Sequence, residues 1–316
     1  MFDIYSGGTE TMLSNALTVG NQVFTLFILI AVGYATNKLK IFDAKSIKAL
    51  TNFVLYIVCP AIIVLSFQKD YTPDRLKDIG IGLAVSAATM ISMILLGPVL
   101  IHHKDKKREN VLKFGIVFSN SAFMSIPLQA AILGDTGVFY GATYIAVFSM
   151  LLWTFGVWLM GGGFEAISIK QIILNANILA VIVGVLLFLL RIKIPTLLYT
   201  PMNYLASLNT PVPMVIIGYH LANAKIKIDS AAEVVAIFTR HFISPLIMLV
   251  LCKLFNANPV LSVAMIIAAS APFASNTTMF SDMFGGGDVA YSASAVSLST
   301  LLSILTMPVI IAIAMM

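Results

Sequence analysis

Apolar residues run along this chain in long stretches separated by short polar connections. Ten stretches stand out, at about 18–37, 46–67, 78–101, 112–133, 137–160, 171–190, 198–222, 232–254, 260–283 and 289–315. Each is long enough, as a helix, to cross a hydrocarbon core of about 30 Å. The pattern predicts an all-α polytopic membrane protein with ten transmembrane helices and no inserted soluble domain. Two stretches are interrupted near their middles, by Ser119-Asn120-Ser121-Ala122-Phe123-Met124-Ser125-Ile126-Pro127 and by Ser270-Ala271-Pro272-Phe273-Ala274-Ser275-Asn276-Thr277-Thr278. Proline removes a backbone donor and obstructs a helical carbonyl. In lipid such a break survives only where it faces protein or a water-filled cavity. Paired breaks in the two halves of a transporter point to its substrate site.

Composition sharpens this picture. Of 316 residues, 59% are hydrophobic and 10% charged, against about 25% charged in soluble domains. The formal charge of +5 does not signal nucleic acid, because the basic residues fall in short loops between apolar stretches. The loops after odd-numbered spans carry 12 Lys/Arg and the alternate loops 6, with Arg240 inside span 8 left out. The positive-inside rule then places both termini outside the cytoplasm. The Lys104–Arg108 run anchors this topology, with lipid headgroups as a secondary contact. The first 17 residues hold Asp3 and Glu10 and no basic residue, so they lack the n-region of a signal peptide. Gly161-Gly162-Gly163 and Gly285-Gly286-Gly287 have no following Lys-Ser/Thr and read as turns, not phosphate loops.

Five spans followed by five more suggest a repeat. Asn52 precedes Pro60 by eight residues in span 2, as Asn203 precedes Pro211 in span 7. Spans 4 and 9 share the interruption, each ends at a Gly-Asp pair (Gly134-Asp135, Gly287-Asp288), and Tyr140 and Tyr291 open the spans that follow. Because five is odd, the second half must insert upside down relative to the first, giving two inverted five-helix repeats.

Little inside the spans can titrate. Arg240, His241, His220 and Asp282 are functional if they lie at the bilayer centre and merely snorkelling if they lie near an interface. Cys59 and Cys252 form no disulfide framework or metal set, and no Ser/His/Asp arrangement or His/Glu/Cys metal spacing is present. The expectation is no enzyme, no catalytic residue, no metal and no cofactor. Ser292, Ser294, Ser297 and Ser299 in span 10 have the spacing of close helix packing. The asparagines say more. Asn120 and Asn276 flank the breaks and Asn177 opens span 6, each offering two donors and an acceptor without charge. Each either lines a binding cavity or caps and glues helices. Half-helix N-termini meeting near the midplane add a partial positive charge that suits an anion.

Asn120-Ser121-Ala122-Phe123-Met124-Ser125-Ile126-Pro127 resembles the fourth-helix motif of the auxin efflux carrier family, which joins plant auxin exporters to bacterial permeases for malate, malonate and related acids. Asn52-Phe53-Val54 before Pro60, Ala271-Pro272, Arg240 with Pro245, and Pro308 fit the same pattern. The resemblance covers residues 18–315. It implies broken helices 4 and 9 that cross at Pro127 and Pro272. It implies a dimerising scaffold (18–67 and 171–222) and a mobile transport core (78–160 and 232–315), hence an elevator-type secondary transporter of small organic anions in the plasma membrane (the inner membrane of a bacterium) and a homodimer. It places substrate contacts at Asn120, at Cys59 and near Asn177, with Ser121, Pro127, Pro272, Ser275 and Asn276 at the crossing. The chain departs from the plant exporters in its short connection at 161–170. It departs again after Pro272, where Phe273 and Thr277 replace a glutamine and a second proline. A sodium-coupled bile-acid-type symporter of similar architecture and an anion channel are the alternatives.

Overall fold

A computed structural model describes residues 9–168, 170, 174–223 and 227–315, with side chains from Phe24 onward. Asp3, Lys225 and the first residues of the sixth stretch, 171–173, lie outside the described residues, as does the side chain of Glu10. Every described element is helical apart from one isolated β-bridge. The helices are α1 (Thr9–Lys38), α2 (Ala44–Ser66), α3 (Pro73–Leu100), α4 (Lys106–Val117), α5 (Ser121–Gly161) and α6 (Ala176–Leu189). They continue with α7 (Thr196–Ser207), α8 (Pro211–Asn223), α9 (Ala231–Leu254), α10 (Pro259–Ser270), α11 (Asn276–Phe284) and α12 (Val289–Ala314). By length and composition, α2, α3, α5, α9 and α12 could each cross a membrane, while Phe24–Lys38, α6 and α10 are shorter apolar helices. The outer faces are as apolar as the interior: Leu95, Val99, Leu197, Leu246 and Leu305 are all exposed. Such a surface belongs in lipid, and the chain is a polytopic membrane protein.

Local sequence explains where helices begin. Asp43, Thr72, Asp105, Asn175, Ser230, Asn258 and Asp288 each accept a backbone N–H of the first turn behind them, satisfying donors that have no helical partner. α5 bends at Gly134, whose φ of 62° is open to glycine and strained for other residues. α1 packs against α8 with no room for side chains between them: a Cβ at Gly33 would collide with the Val215 carbonyl, and one at Gly218 with the Ile30 carbonyl.

Four stretches are wound as π turns, Val54–Val58, Ser121–Ser125, Leu152–Gly156 and Thr239–Ile243. Three of them end two residues before a proline, at Pro60, Pro127 and Pro245. In each the residue just before the proline donates five residues back, Cys59 to Val54, Ile126 to Ser121 and Ser244 to Thr239. The ring crowds the preceding turn, and the helix accommodates it by widening instead of breaking.

Two large buried apolar clusters result. One joins α3, α4, α5, α9, α10 and α12 through residues such as Phe114, Phe118, Tyr144 and Phe273, and takes in Ile63 and Phe67 at the end of α2 and Ala180 and Phe188 of α6. The other joins α1, α2 and α8 to the start of α5 and to α10 and α12, through Ile30, Val58, Met214, Phe123, Ile267 and Ile311 among others. Polar networks close the ends of the first group. At one end Asp78 accepts from Tyr140 (2.8 Å) and from Asn258 (2.6 Å). At the other, Arg108 reaches Asp229 (2.5 Å) and Asp288 (3.2 Å).

Candidate substrate site at the paired breaks

The two interruptions meet. Ser119 and Phe273 form an antiparallel bridge; the Asn120 N–H donates to the Pro272 carbonyl (2.8 Å) and the Ala274 N–H to the Phe118 carbonyl (2.9 Å). The unwound backbone is thereby paired in the buried interior, as a non-aqueous environment demands. The Phe273 N–H donates to Ser299 Oγ (3.1 Å), and Ser119 Oγ donates to Tyr144 Oη (3.0 Å). Pro272 lies in the second break, as expected. Pro127 does not lie in the first. The chain leaves the helix at Phe118-Ser119-Asn120 and is helical again through Pro127, because that proline is absorbed by the π turn before it.

Arg240 is fully buried behind this bridge. Its Nη1 donates to the carbonyls of Ile116 (3.1 Å) and Val117 (3.2 Å), its Nη2 to Ala269 (2.5 Å) and its Nε to Ala271 (3.1 Å). These carbonyls lie at the C-terminal ends of α4 and α10, where helical partners run out. Snorkelling to an interface is thus excluded for Arg240. Its neighbour His241, also buried, bonds Ser299 Oγ (3.0 Å) and Thr306 Oγ1 (2.6 Å). His220 is exposed and Asp282 lies on the outer side of α11.

In front of the bridge lies a cavity of about 70 Å³, lined by Ser119, Asn120 and Ser121, by Asn52 and Tyr56 of α2, by Trp153 of α5, by Asn175 and Asn177, and by Asn276. None of its described lining residues is charged. Three of its polar atoms are buried without a partner, Asn120 Nδ2, Ser121 Oγ and Asn177 Oδ1. Buried polar atoms are ordinarily paired, and an exception asks for an explanation. The first turn of α5 starts at Ser121, α6 starts at Ala176 and α11 starts at Asn276, so three helix N-termini open on this space. On the other side of α11 a vestibule of about 360 Å³ runs from His220 and Asn223 past Ser294 and Ser297 to Ser275.

Of the expected site residues, Asn120, Ser121, Asn177 and Asn276 share the cavity, and Ser275 lines the vestibule beside it. Pro272 shapes the bridge without lining either space, and Pro127 is buried in α5. Cys59 lines neither; its thiol donates to Asn209 Oδ1 (3.3 Å) between α7 and α8. Sequence reasoning passed over Asn52, Asn175 and the pairing role of Ser299. Asn52 could have been found from its eight-residue spacing to Pro60, which marks the repeat and the resemblance.

Comparison with known proteins places the chain in a family. The family model described as "Membrane transport protein" matches residues 18–311. An uncharacterized transporter of Methanocaldococcus jannaschii is 24% identical over 293 residues, 90% of this chain and 94% of that protein. Another, from Methanothermobacter thermautotrophicus, is 23% identical over 313 residues, 96% of this chain and 98% of its own length. With nearly its whole length matched, the chain belongs to the membrane transport protein family, the auxin efflux carrier family that its fourth-helix motif resembles.

Proposed function

We propose that this protein is a secondary carrier for small organic anions, working by alternating access, with the carboxylate held where the two broken helices meet. The observation that carries this reading is the uncharged cavity onto which three helix N-termini open and into which Asn120, Ser121 and Asn177 bring unpartnered polar atoms. Helix N-termini attract anions without a fixed cation, and such attraction is weak enough to allow release. The cavity of about 70 Å³ holds about two waters at ~30 Å³ each, so binding widens it.

In this reading the chain crosses the membrane ten times as two inverted five-helix repeats, with both termini outside the cytoplasm of a plasma membrane. Residues 78–160 and 232–315 form a core that moves elevator-fashion against a scaffold, 18–67 and 171–222, and the scaffold pairs two copies into a homodimer. Support comes from the end networks. Asp78–Tyr140–Asn258 and the pair Arg108–Asp288 each tie together segments assigned to the core, with Asp229 joining the second from the connection just before residue 232.

Counterflow in proteoliposomes tests it. Vesicles preloaded with an unlabelled mono- or dicarboxylate should take up the labelled acid transiently above equilibrium, with saturation, and the corresponding neutral amide should not substitute. Linear, non-saturating flux would indicate a channel, and equal transport of the amide would overturn the anion site.

A further inference from the structure

Four half-helix ends converge on the bridge: the C-termini of α4 and α10 and the N-termini of α5 and α11. Each N-terminus acts as roughly half a positive elementary charge and each C-terminus as roughly half a negative one. Left alone, the four cancel, and an anion in the cavity would meet repulsion as well as attraction. Arg240 changes that sum. Its guanidinium lies on Ile116 and Val117 at the end of α4 and on Ala269 and Ala271 at the end of α10, where one positive charge offsets two half-negative ends.

We infer that Arg240 is a positioning residue that gives the paired breaks their polarity: it neutralises both C-termini, so that only helix N-termini act on the cavity. The inference deepens the anion-carrier reading and rests on it for its functional meaning. Arginine suits the task because its donors fan out in a rigid plane and its charge persists at any physiological pH. A lysine keeps the charge but spreads three donors from one point. The donors of Arg240 reach carbonyls of both helices from three nitrogens, so none of these contacts is to the cavity and the residue acts through the backbone. The π turn Thr239–Ile243 delivers it. The widened turn buries two consecutive side chains, Arg240 on the carbonyl ends and His241 on the Ser299 hydroxyl that takes the Phe273 N–H.

The test reads the field directly and needs no substrate. Ser275, half-buried beside the start of α11 and lining the vestibule, is changed to cysteine, and the pH profile of its modification by a small methanethiosulfonate is measured in the full-length protein. The native Cys59 and Cys252 are buried. The introduced thiol should titrate about one unit below the ordinary value of about 8.5. Adding Arg240→Gln should move it back up by about one unit, making modification about tenfold slower at a fixed pH below the titration. Arg240→Lys should restore most of the shift, which a purely structural loss would not. An unchanged profile in Arg240→Gln overturns the inference. If Arg240→Gln does not fold, the single Ser275→Cys protein still decides: a thiol titrating at or above 8.5 at the start of α11 means that the charge of the two C-termini is not offset. A shifted profile in a protein that counterflows no anion would leave the polarity standing and remove the carrier reading.

Discussion

The thiol of Cys59 donates to the side-chain carbonyl of Asn209 across 3.3 Å, and both residues are fully buried. The contact joins the widened turn before Pro60 to the short interruption between α7 and α8. Cys59→Ala leaves Asn209 without a donor in an apolar surrounding, which costs about 1–3 kcal/mol. Cys59→Ser keeps the bond and should cost less. Thermal unfolding in detergent should therefore rank wild type, Cys59→Ser and Cys59→Ala in falling order. Equal stability of the serine and alanine variants would show that the bond contributes nothing.

Asn120→Ala should abolish counterflow while changing stability little. The Asn120 amide nitrogen is unpartnered, and the bond to Pro272 comes from the backbone, so truncation removes no direct partner. Uptake at least tenfold below wild type, with a melting temperature within a few degrees, is the expected pair of results. Wild-type uptake would make Asn120 a packing residue.

A covalent tie between core and scaffold should stop turnover. Lys69, two residues past the scaffold's 18–67, lies 3.6 Å from Asp135 of the core, while Asp70 beside it lies 2.9 Å from Lys193 of the scaffold. The double variant Lys69→Cys/Asp135→Cys, once oxidised, should lose uptake and regain it on reduction. Lys193→Cys/Asp70→Cys should transport in both states. Undiminished uptake with the first pair oxidised would contradict relative motion of the two bodies.

Glu109 offers a pH test outside the spans. Burial works against its charge, but hydrogen bonds from Lys106 (2.8 Å), from Lys113 and from the His103 N–H outweigh this and hold its carboxyl down at about 2. The folded value is depressed, so the stabilisation is fully present above the unfolded value of about 4.3 and is lost as pH falls through about 2. Wild type should exceed Glu109→Gln in stability at pH 7, and the gap should close on acidification below about 4. A gap independent of pH would rule out the charge as its source.

Much of this arrangement was legible from local pattern. The two Asn/Ser/Pro clusters marked both breaks, and Asn120, Ser121, Asn177 and Asn276 do share one cavity. What local pattern missed had distant causes. Pro127 was assigned to the crossing because proline is a helix breaker. Three of the chain's prolines instead sit two residues after a π turn that absorbs them, and the first break falls at Phe118-Ser119-Asn120. The depth of Arg240 could not be read because its partners lie 29 to 124 residues away, on helices whose juxtaposition no spacing in span 8 reveals. Cys59 was carried over from the resemblance, and its thiol turned out to be occupied by Asn209.

The bridge between the breaks has one more consequence. Its two hydrogen bonds are reciprocal, Asn120 to Pro272 and Ala274 to Phe118, so the strands exchange roles under a half-turn about the Ser119–Phe273 pair. An object with that local dyad looks alike from the end of either strand. For a carrier built around it, the backbone frame favours neither inward nor outward passage.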